Sequence, residues 1–98
     1  MASVIHHESF RIPAGHPALA GHFPGNPVVP GVVVLDQVAA ALARTGGRRL
    51  AELVQVKFLA PLLPEQEAQL QLETSEDRLR FRVLRQDSLI ASGEARLA

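Results

Sequence analysis

The sequence predicts an α+β domain in which one buried central helix is wrapped by an antiparallel sheet of about five strands. Three observations carry this prediction. Residues 31–44 form an apolar stretch of helical length, with only Asp36 and Gln37 polar between Val32 and Ala43. The second half of the chain alternates apolar and polar residues with period two, the mark of half-buried antiparallel strands. Prolines 13, 17, 24, 27 and 30 and glycines 15, 21, 25 and 31 crowd into one segment. Proline fixes φ and glycine opens unusual φ/ψ, so residues 13–31 read as a stiff irregular loop of the kind that carries function. A length of 98 residues suits a single domain, residues 1–98, with a small core. A chain this short gains from extra burial through self-association.

The elements follow in order. A short strand around Ser9–Ile12 opens the chain, and the long loop follows. The Val run after Gly31 taken alone suggests a strand. The Ala-rich continuation to Arg44 and the stop signal Thr45-Gly46-Gly47 favour a helix, with Pro30-Gly31 at its start. A helix apolar almost all round is a buried one. Leu53–Leu59 is the next strand, and Pro61-Leu62-Leu63-Pro64 breaks the chain. In Glu67–Glu73, Ala68, Leu70 and Leu72 alternate with Gln69 and Gln71. A turn at Thr74–Asp77 places Glu73 opposite Arg78. In Arg78–Leu84, Leu79, Phe81 and Val83 alternate with Arg80 and Arg82. Gln86-Asp87-Ser88 turns into the last strand, Leu89–Leu97.

Composition excludes several classes of function. The chain is 47% hydrophobic and 20% charged, with ten basic and ten acidic residues. Strong non-specific nucleic-acid binding needs a basic excess, which is absent. The four aromatic residues are all Phe, in no RNA-stacking motif. The absence of cysteine excludes disulfides, thiolate catalysis and Cys-based zinc sites. No apolar run approaches the roughly 20 residues of a membrane span. Residues 1–8, with His6-His7 and an acid, do not read as a signal peptide, so the expected location is the cytoplasm.

Asp36 is the residue to explain. Its helical neighbours at three and four positions are Val32, Val33, Ala39 and Ala40, with no Lys or Arg within a turn. A carboxylate without a partner is costly to bury, so it must be paired from elsewhere, solvated or protonated. Such an acid is a candidate acid/base group. The competing reading is an Asp favoured by the helix dipole, although it lies five residues past Gly31, too deep for a cap. His22, within Gly21-His22-Phe23-Pro24-Gly25, is the natural companion, because neutral histidine can take a proton from a weak carbon acid. The competing reading is an ordinary loop histidine. His6, His7 and His16 read as structural or incidental, and their spacing matches no strong metal-ligand pattern. Gly31 offers a backbone N–H at a helix start that can hold a developing oxyanion. Turn geometry alone would also account for that glycine.

Residues 21–36, Gly-His-Phe-Pro-Gly-Asn-Pro-Val-Val-Pro-Gly-Val-Val-Val-Leu-Asp, closely resemble the signature of the β-hydroxyacyl-acyl-carrier-protein dehydratases, the FabA/FabZ-type hot-dog family. That pattern reads GHFPGxPxxPGVxxxE or D, and here Asp36 lies fourteen positions after His22. Lys57-Phe58-x-x-Pro61-x-x-Pro64 resembles the family's KFxxPxxPG segment, and Ala91-Ser92-Gly93 is similar to its final strand. There are departures. Glu65 stands where the family usually has Gly, and Ala40 where it often has Gln. The acid is Asp, as in the FabA branch, while His-Phe-Pro-Gly reads like the FabZ branch. The chain most resembles the compact dehydratases of specialised polyene pathways, such as bacterial aryl-polyene clusters.

The resemblance implies a hot-dog fold and a homodimer with active sites at the interface, His22 from one chain and Asp36 from the other. A heterodimer with a related protein is the variant of that assembly. It implies a (3R)-3-hydroxyacyl thioester on an acyl carrier protein as substrate. His22 would remove a proton from C2, Gly31 N–H would hold the thioester oxyanion, and Asp36 would protonate the leaving C3 hydroxyl. Phe23, Val28 and Pro30 would line the substrate site. No metal, nucleotide or flavin is required. Carrier proteins are acidic as a class, which draws attention to Arg78, Arg80 and Arg82 on one strand face and to Arg44, Arg48 and Arg49 past the helix. For the strand stripe, a solvated face paired with Glu73 and its neighbours is the favoured reading. The alternatives in function are a hot-dog thioesterase or hydratase, and a non-catalytic subunit that binds acyl chains or completes a heterodimer.

Overall fold

A computed structural model describes residues 3–19 and 28–98 of the chain. Five strands, β1 (Val4–Arg11), β2 (Leu50–Phe58), β3 (Glu67–Ser75), β4 (Arg78–Arg85) and β5 (Ser88–Leu97), form one antiparallel sheet around helix α1 (Gly31–Gly46). The strand order is β1-β3-β4-β5-β2, so β1 and β2 are the edges.

The period-two pattern builds the core directly. Leu70 pairs with Val83 and Val83 with Ala91; Leu72 pairs with Phe81 and Phe81 with Gly93; Thr74 pairs with Leu79 and Leu79 with Ala95. The apolar members of these rows pack with Val33, Val34, Val38, Ala41 and Leu42 of α1. Phe81 is fully buried, and a side chain of that size removed from water is worth about 2–3 kcal/mol. The opposite face of the sheet carries Gln69, Gln71, Arg80, Arg82 and Glu94. Two-residue turns at Glu76-Asp77 and Gln86-Asp87 join β3 to β4 and β4 to β5.

Helix α1 starts at Pro30, whose extended backbone (φ −61°, ψ 147°) and missing N–H suit a chain entering a helix. It ends at Gly47, which takes φ 64° and donates its N–H to the Ala43 carbonyl at 3.0 Å. Glycine adopts this left-handed conformation without steric cost, so the predicted stop signal acts as a C-cap. The helix runs two residues beyond the expected Arg44.

Among the strands, the differences from expectation that matter lie in β3, β1 and β2. First, β3 continues to Ser75, so the hairpin turn is tighter than predicted. Glu73 therefore faces Arg80, and Ser75 faces Arg78. Second, β1 begins at Val4 instead of Ser9, because its polar His6-His7-Glu8 stretch pairs with β3 as an edge strand. Third, β2 begins at Leu50 and ends at Phe58, and irregularities in its pairing with β5 break the alternation on which its prediction rested.

Candidate functional site

The site grows from the start of α1. The Pro30 carbonyl accepts the N–H groups of Val33 (3.0 Å) and Val34 (3.4 Å). In helix geometry the N–H groups of Gly31 and Val32 then have no intrahelical acceptor, and they sit at the positive end of the helix dipole. Beside them lies an apolar pocket of about 440 Å³ lined by Val28, Gly31, Val34, Phe58, Leu62 and Ile90. The Phe58 ring lies over Gly31: a Cβ built on Gly31 would come 2.7 Å from Phe58 Cζ. The absent side chain at position 31 thus makes room for the wall of the pocket. Phe58 itself is 52% exposed, a half-open aromatic face at the pocket mouth.

That contact makes a prediction. Gly31→Ala should push the ring aside and reshape the pocket without unfolding the chain, because the obstacle is the end of a side chain and not backbone. Activity on a thioester substrate should fall about tenfold, and Phe58→Leu should restore part of it in the double variant. Kinetics of the two single variants and the double variant, set out as a cycle, measure the coupling. Strictly additive losses would show that the ring does not shape the site.

Asp36 lies one turn after Val32 and one turn before Ala40, and all three are exposed in the single chain. The expectation that α1 is buried almost all round therefore holds for its sheet side only. Val32, an aliphatic residue, keeps 63% of its surface exposed. Sequence pattern cannot distinguish a face covered by its own sheet from one left bare, and this is why Asp36 read as buried. The described residues of the single chain give Asp36 no apolar cover. Ala40, where the resembling family often has Gln, leaves the next turn of the same face without a polar group. His22 and Phe23 lie outside the described residues. Val28 and Gly31 line the pocket, and Pro30 caps the helix beside it.

The charged candidates are largely committed elsewhere. Arg78 and Arg80 both approach Glu94, at 3.1 and 3.8 Å, so the predicted pairing with Glu73 is replaced by one across the β4–β5 hairpin. A shallow depression of about 660 Å³ on the outer face of the sheet brings Lys57, Arg80 and Arg82 together with Glu73 and Glu94, so the stripe is a mixed-charge surface. Arg44 pairs with Glu8, which also meets His6 Nε2 at 2.8 Å, and Arg48 donates to the Glu76 carbonyl at 2.9 Å. Among the described residues, no helix is long and apolar enough to cross a membrane.

Sequence reasoning noted Glu65 only as a departure. In the structure it takes φ 68°, which explains why glycine suits this position. Its N–H donates to the Ile12 carbonyl at 2.8 Å, and its Oε2 accepts the Ala14 N–H at 3.0 Å. The available signal was a non-glycine residue at a turn position where related sequences use glycine.

Comparison with known proteins matches the fold and the motif together. The ApeI-like family pattern, described as ApeI dehydratase, matches residues 5–94. The 3-hydroxyacyl-[acyl-carrier-protein] dehydratase FabZ of Chloroflexus aggregans is 40% identical over 71 residues, covering 72% of this chain and 40% of the relative. FabZ of Myxococcus xanthus is 36% identical over 74 residues, covering 64% of this chain and 48% of the relative. The chain spans about half the length of the FabZ proteins it matches. Among solved structures, the dehydratase heterocomplex ApeI:P from Xenorhabdus doucetiae superposes with a TM-score of 0.80 at 26% identity, covering 100% of this chain and 99% of that one. The (R)-hydratase from A. caviae involved in PHA biosynthesis shares the fold, with a TM-score of 0.78 at 19% identity over 99% of this chain and 95% of that one. With helix α1 held against a five-stranded antiparallel sheet in the hot-dog manner, and a family match running over nearly its whole length, this chain belongs to the ApeI-like dehydratases.

Proposed function

We propose that the protein dehydrates (3R)-3-hydroxyacyl thioesters carried on an acyl carrier protein, releasing water and leaving trans-2-enoyl thioesters, in the cytoplasm. The observation that carries this reading is the helix start: a side-chain-free amide at Gly31, at the positive end of α1, opening onto an apolar pocket, with Asp36 further along the same helix. His22 takes the C2 proton. The electrons of that C–H bond form the C2–C3 double bond through an enolate whose oxygen is held by Gly31 N–H. Asp36, entering protonated, gives its proton to the C3 hydroxyl as the C3–O bond breaks. Val28, Pro30 and Phe23 bound the acyl chain. The reaction needs no cofactor, and the proton taken by His22 restores Asp36 through solvent.

The active unit in this reading contains two chains. Strand β2 is a sheet edge with Leu53 and Val54 exposed; its last residue, Phe58, lies against Gly31 at the start of α1, and Val32 and Asp36 are exposed on that helix. An open edge with apolar neighbours is a template for strand pairing. A second chain placed there would cover Asp36 and bring its own His22 to it. A homodimer is the simplest form. The ApeI:P neighbour is a heterocomplex, which supports a related chain as the alternative partner.

The test is mass spectrometry of a 3-hydroxyacyl carrier protein incubated with the purified protein. Loss of one water from the acyl group, abolished by His22→Ala in a variant that keeps its assembly, is the expected result. No loss over several chain lengths, alone or with a related hot-dog chain, overturns the reading. Release of free thiol instead of water would make the protein a thioesterase.

A further inference from the structure

Strands β4 and β5 pair residue for residue from Arg78 with Arg96 to Val83 with Ala91, but the next pair is Leu84 with Leu89. Ile90 is thus an extra residue on β5 with no counterpart on β4, a β-bulge. The bulge breaks the alternation of the strand, because the successive residues Ile90 and Ala91 are both buried. Regular pairing would set Ile90 opposite Leu84, on the sheet face of Arg82 and Ser92. The Ile90 carbonyl instead accepts the N–H groups of Leu59 (2.8 Å) and Ala60 (3.3 Å), just past the end of β2. Two residues on, the Leu62 carbonyl accepts the Val29 N–H at 2.8 Å, immediately before the Pro30-Gly31 helix start. Backbone hydrogen bonds therefore join the bulge to residues 59–62, and those residues to the start of α1.

These three pieces wall the pocket of about 440 Å³ beside Gly31. Its lining is of two kinds. Phe58 and Leu59 are exposed and stand at the mouth, whereas Val34, Leu62 and Ile90 are buried and form the inner wall. A bulge at a strand end beside a site re-aims a side chain, and here it turns a branched apolar one inward. We infer that Ile90 is a specificity-determining residue: held inward by the bulge, its side chain limits the length of the acyl chain that the pocket accepts. This rests on the dehydratase reading above. An apolar pocket discriminates between chains methylene by methylene, by about tenfold in kcat/KM for each. Ile90 touches no reacting atom in this scheme, so it selects among substrates without taking part in the chemistry.

The test compares Ile90→Val, Ile90→Ala and Ile90→Phe on a series of 3-hydroxyacyl carrier proteins of increasing chain length. The readout is the ratio of kcat/KM for a long chain to that for a short one. It should rise about tenfold in Ile90→Ala, rise less in Ile90→Val, and fall about tenfold in Ile90→Phe. A merely structural role would lower the rate on every chain alike, and could not move the ratio in opposite directions for smaller and larger side chains. Ile90→Val removes a single methylene and keeps the fold even where the other two variants do not. Calorimetry with saturated acyl carrier proteins, which lack the hydroxyl and cannot be dehydrated, reads the same limit without turnover. An active wild type whose chain-length ratio is the same in every folded Ile90 variant overturns the inference and leaves the dehydratase reading standing, as does an equal loss on all chains. A wild type without turnover, but with a binding limit that moves with the size of residue 90, refutes the dehydratase reading and leaves Ile90 as the limit of an acyl-binding pocket.

Discussion

Asp36→Asn should slow dehydration by a factor of about 10² or more while leaving the fold intact. Asparagine matches the shape of aspartate but cannot deliver a carboxylic acid proton to a leaving hydroxyl. The side chain stands on the exposed face of α1 and makes no ion pair among the described residues, so its exchange should alter stability by no more than about 0.5 kcal/mol. Single-turnover kinetics with thermal melting of the same preparation separates the two effects. A second arm tests whether the site is shared. If His22 and Asp36 of one site come from different chains, mixed dimers of His22→Ala and Asp36→Asn carry one intact site each. Random exchange of the two inactive variants should then recover about a quarter of wild-type activity. A wild-type rate in Asp36→Asn removes it as the acid, and no recovery on mixing argues against a site shared between two copies of this chain.

Gly93→Ala should be the most damaging small substitution in the sheet. Gly93 sits in β5 between β4 and β2, paired with Phe81 on one side and Val56 on the other. A Cβ there would lie 2.5 Å from Phe81 Cζ, 2.6 Å from Cε1 and 2.7 Å from the Gln55 carbonyl oxygen. The ring could shift, but the carbonyl belongs to the neighbouring strand and cannot move without disturbing the pairing of β2. Overpacking of this kind costs about 2–3 kcal/mol, which for a chain of this size lowers Tm by roughly 10–20 °C. Adding Phe81→Leu should relieve the ring contact and leave the carbonyl contact, so the double variant should recover only partly. A Gly93→Ala protein that melts like wild type would mean that Phe81 does not fill the space over this glycine.

The contrast between these two positions shows what could be read from the sequence. The helix and its glycine stop were legible from an apolar stretch of helical length ended by Gly46-Gly47, and strands β3, β4 and β5 because each buries alternate residues against α1. The edges were less so. β2 is exposed along most of its length in the single chain, and Leu53, Val54 and Phe58 carry apolar character that the sheet itself does not use. Asp36 was singled out as an acid among apolar neighbours, but its surroundings were misjudged, since the face it shares with Val32 is exposed in the single chain. The Gly31 pocket was half legible: the motif marked the amide, but nothing in the sequence placed the Phe58 ring over it. His22 and Phe23 lie outside the described residues, and their part in the site rests on the motif alone. The contacts of Glu65 were not legible, because a positive φ and a hydrogen bond to Ala14 across about fifty residues of chain leave no periodic trace.

The strand order has a consequence for how the chain is made. Every proposed catalytic group lies at or before residue 36, yet the strands that carry the floor beneath α1 are synthesised after it. β1 waits for β3, and β2 waits for β5. The β3–β4–β5 meander, closed by two-residue turns, needs only local contacts and should form quickly once it leaves the ribosome. Until then α1 and β2 present their apolar surfaces with nothing to cover them. The interval between the synthesis of Phe58 and that of Leu97 is therefore when the nascent chain is most open to chaperones and to aggregation. A lesion in β5, far along the chain from His22 and Asp36, should abolish the active site as surely as one within it.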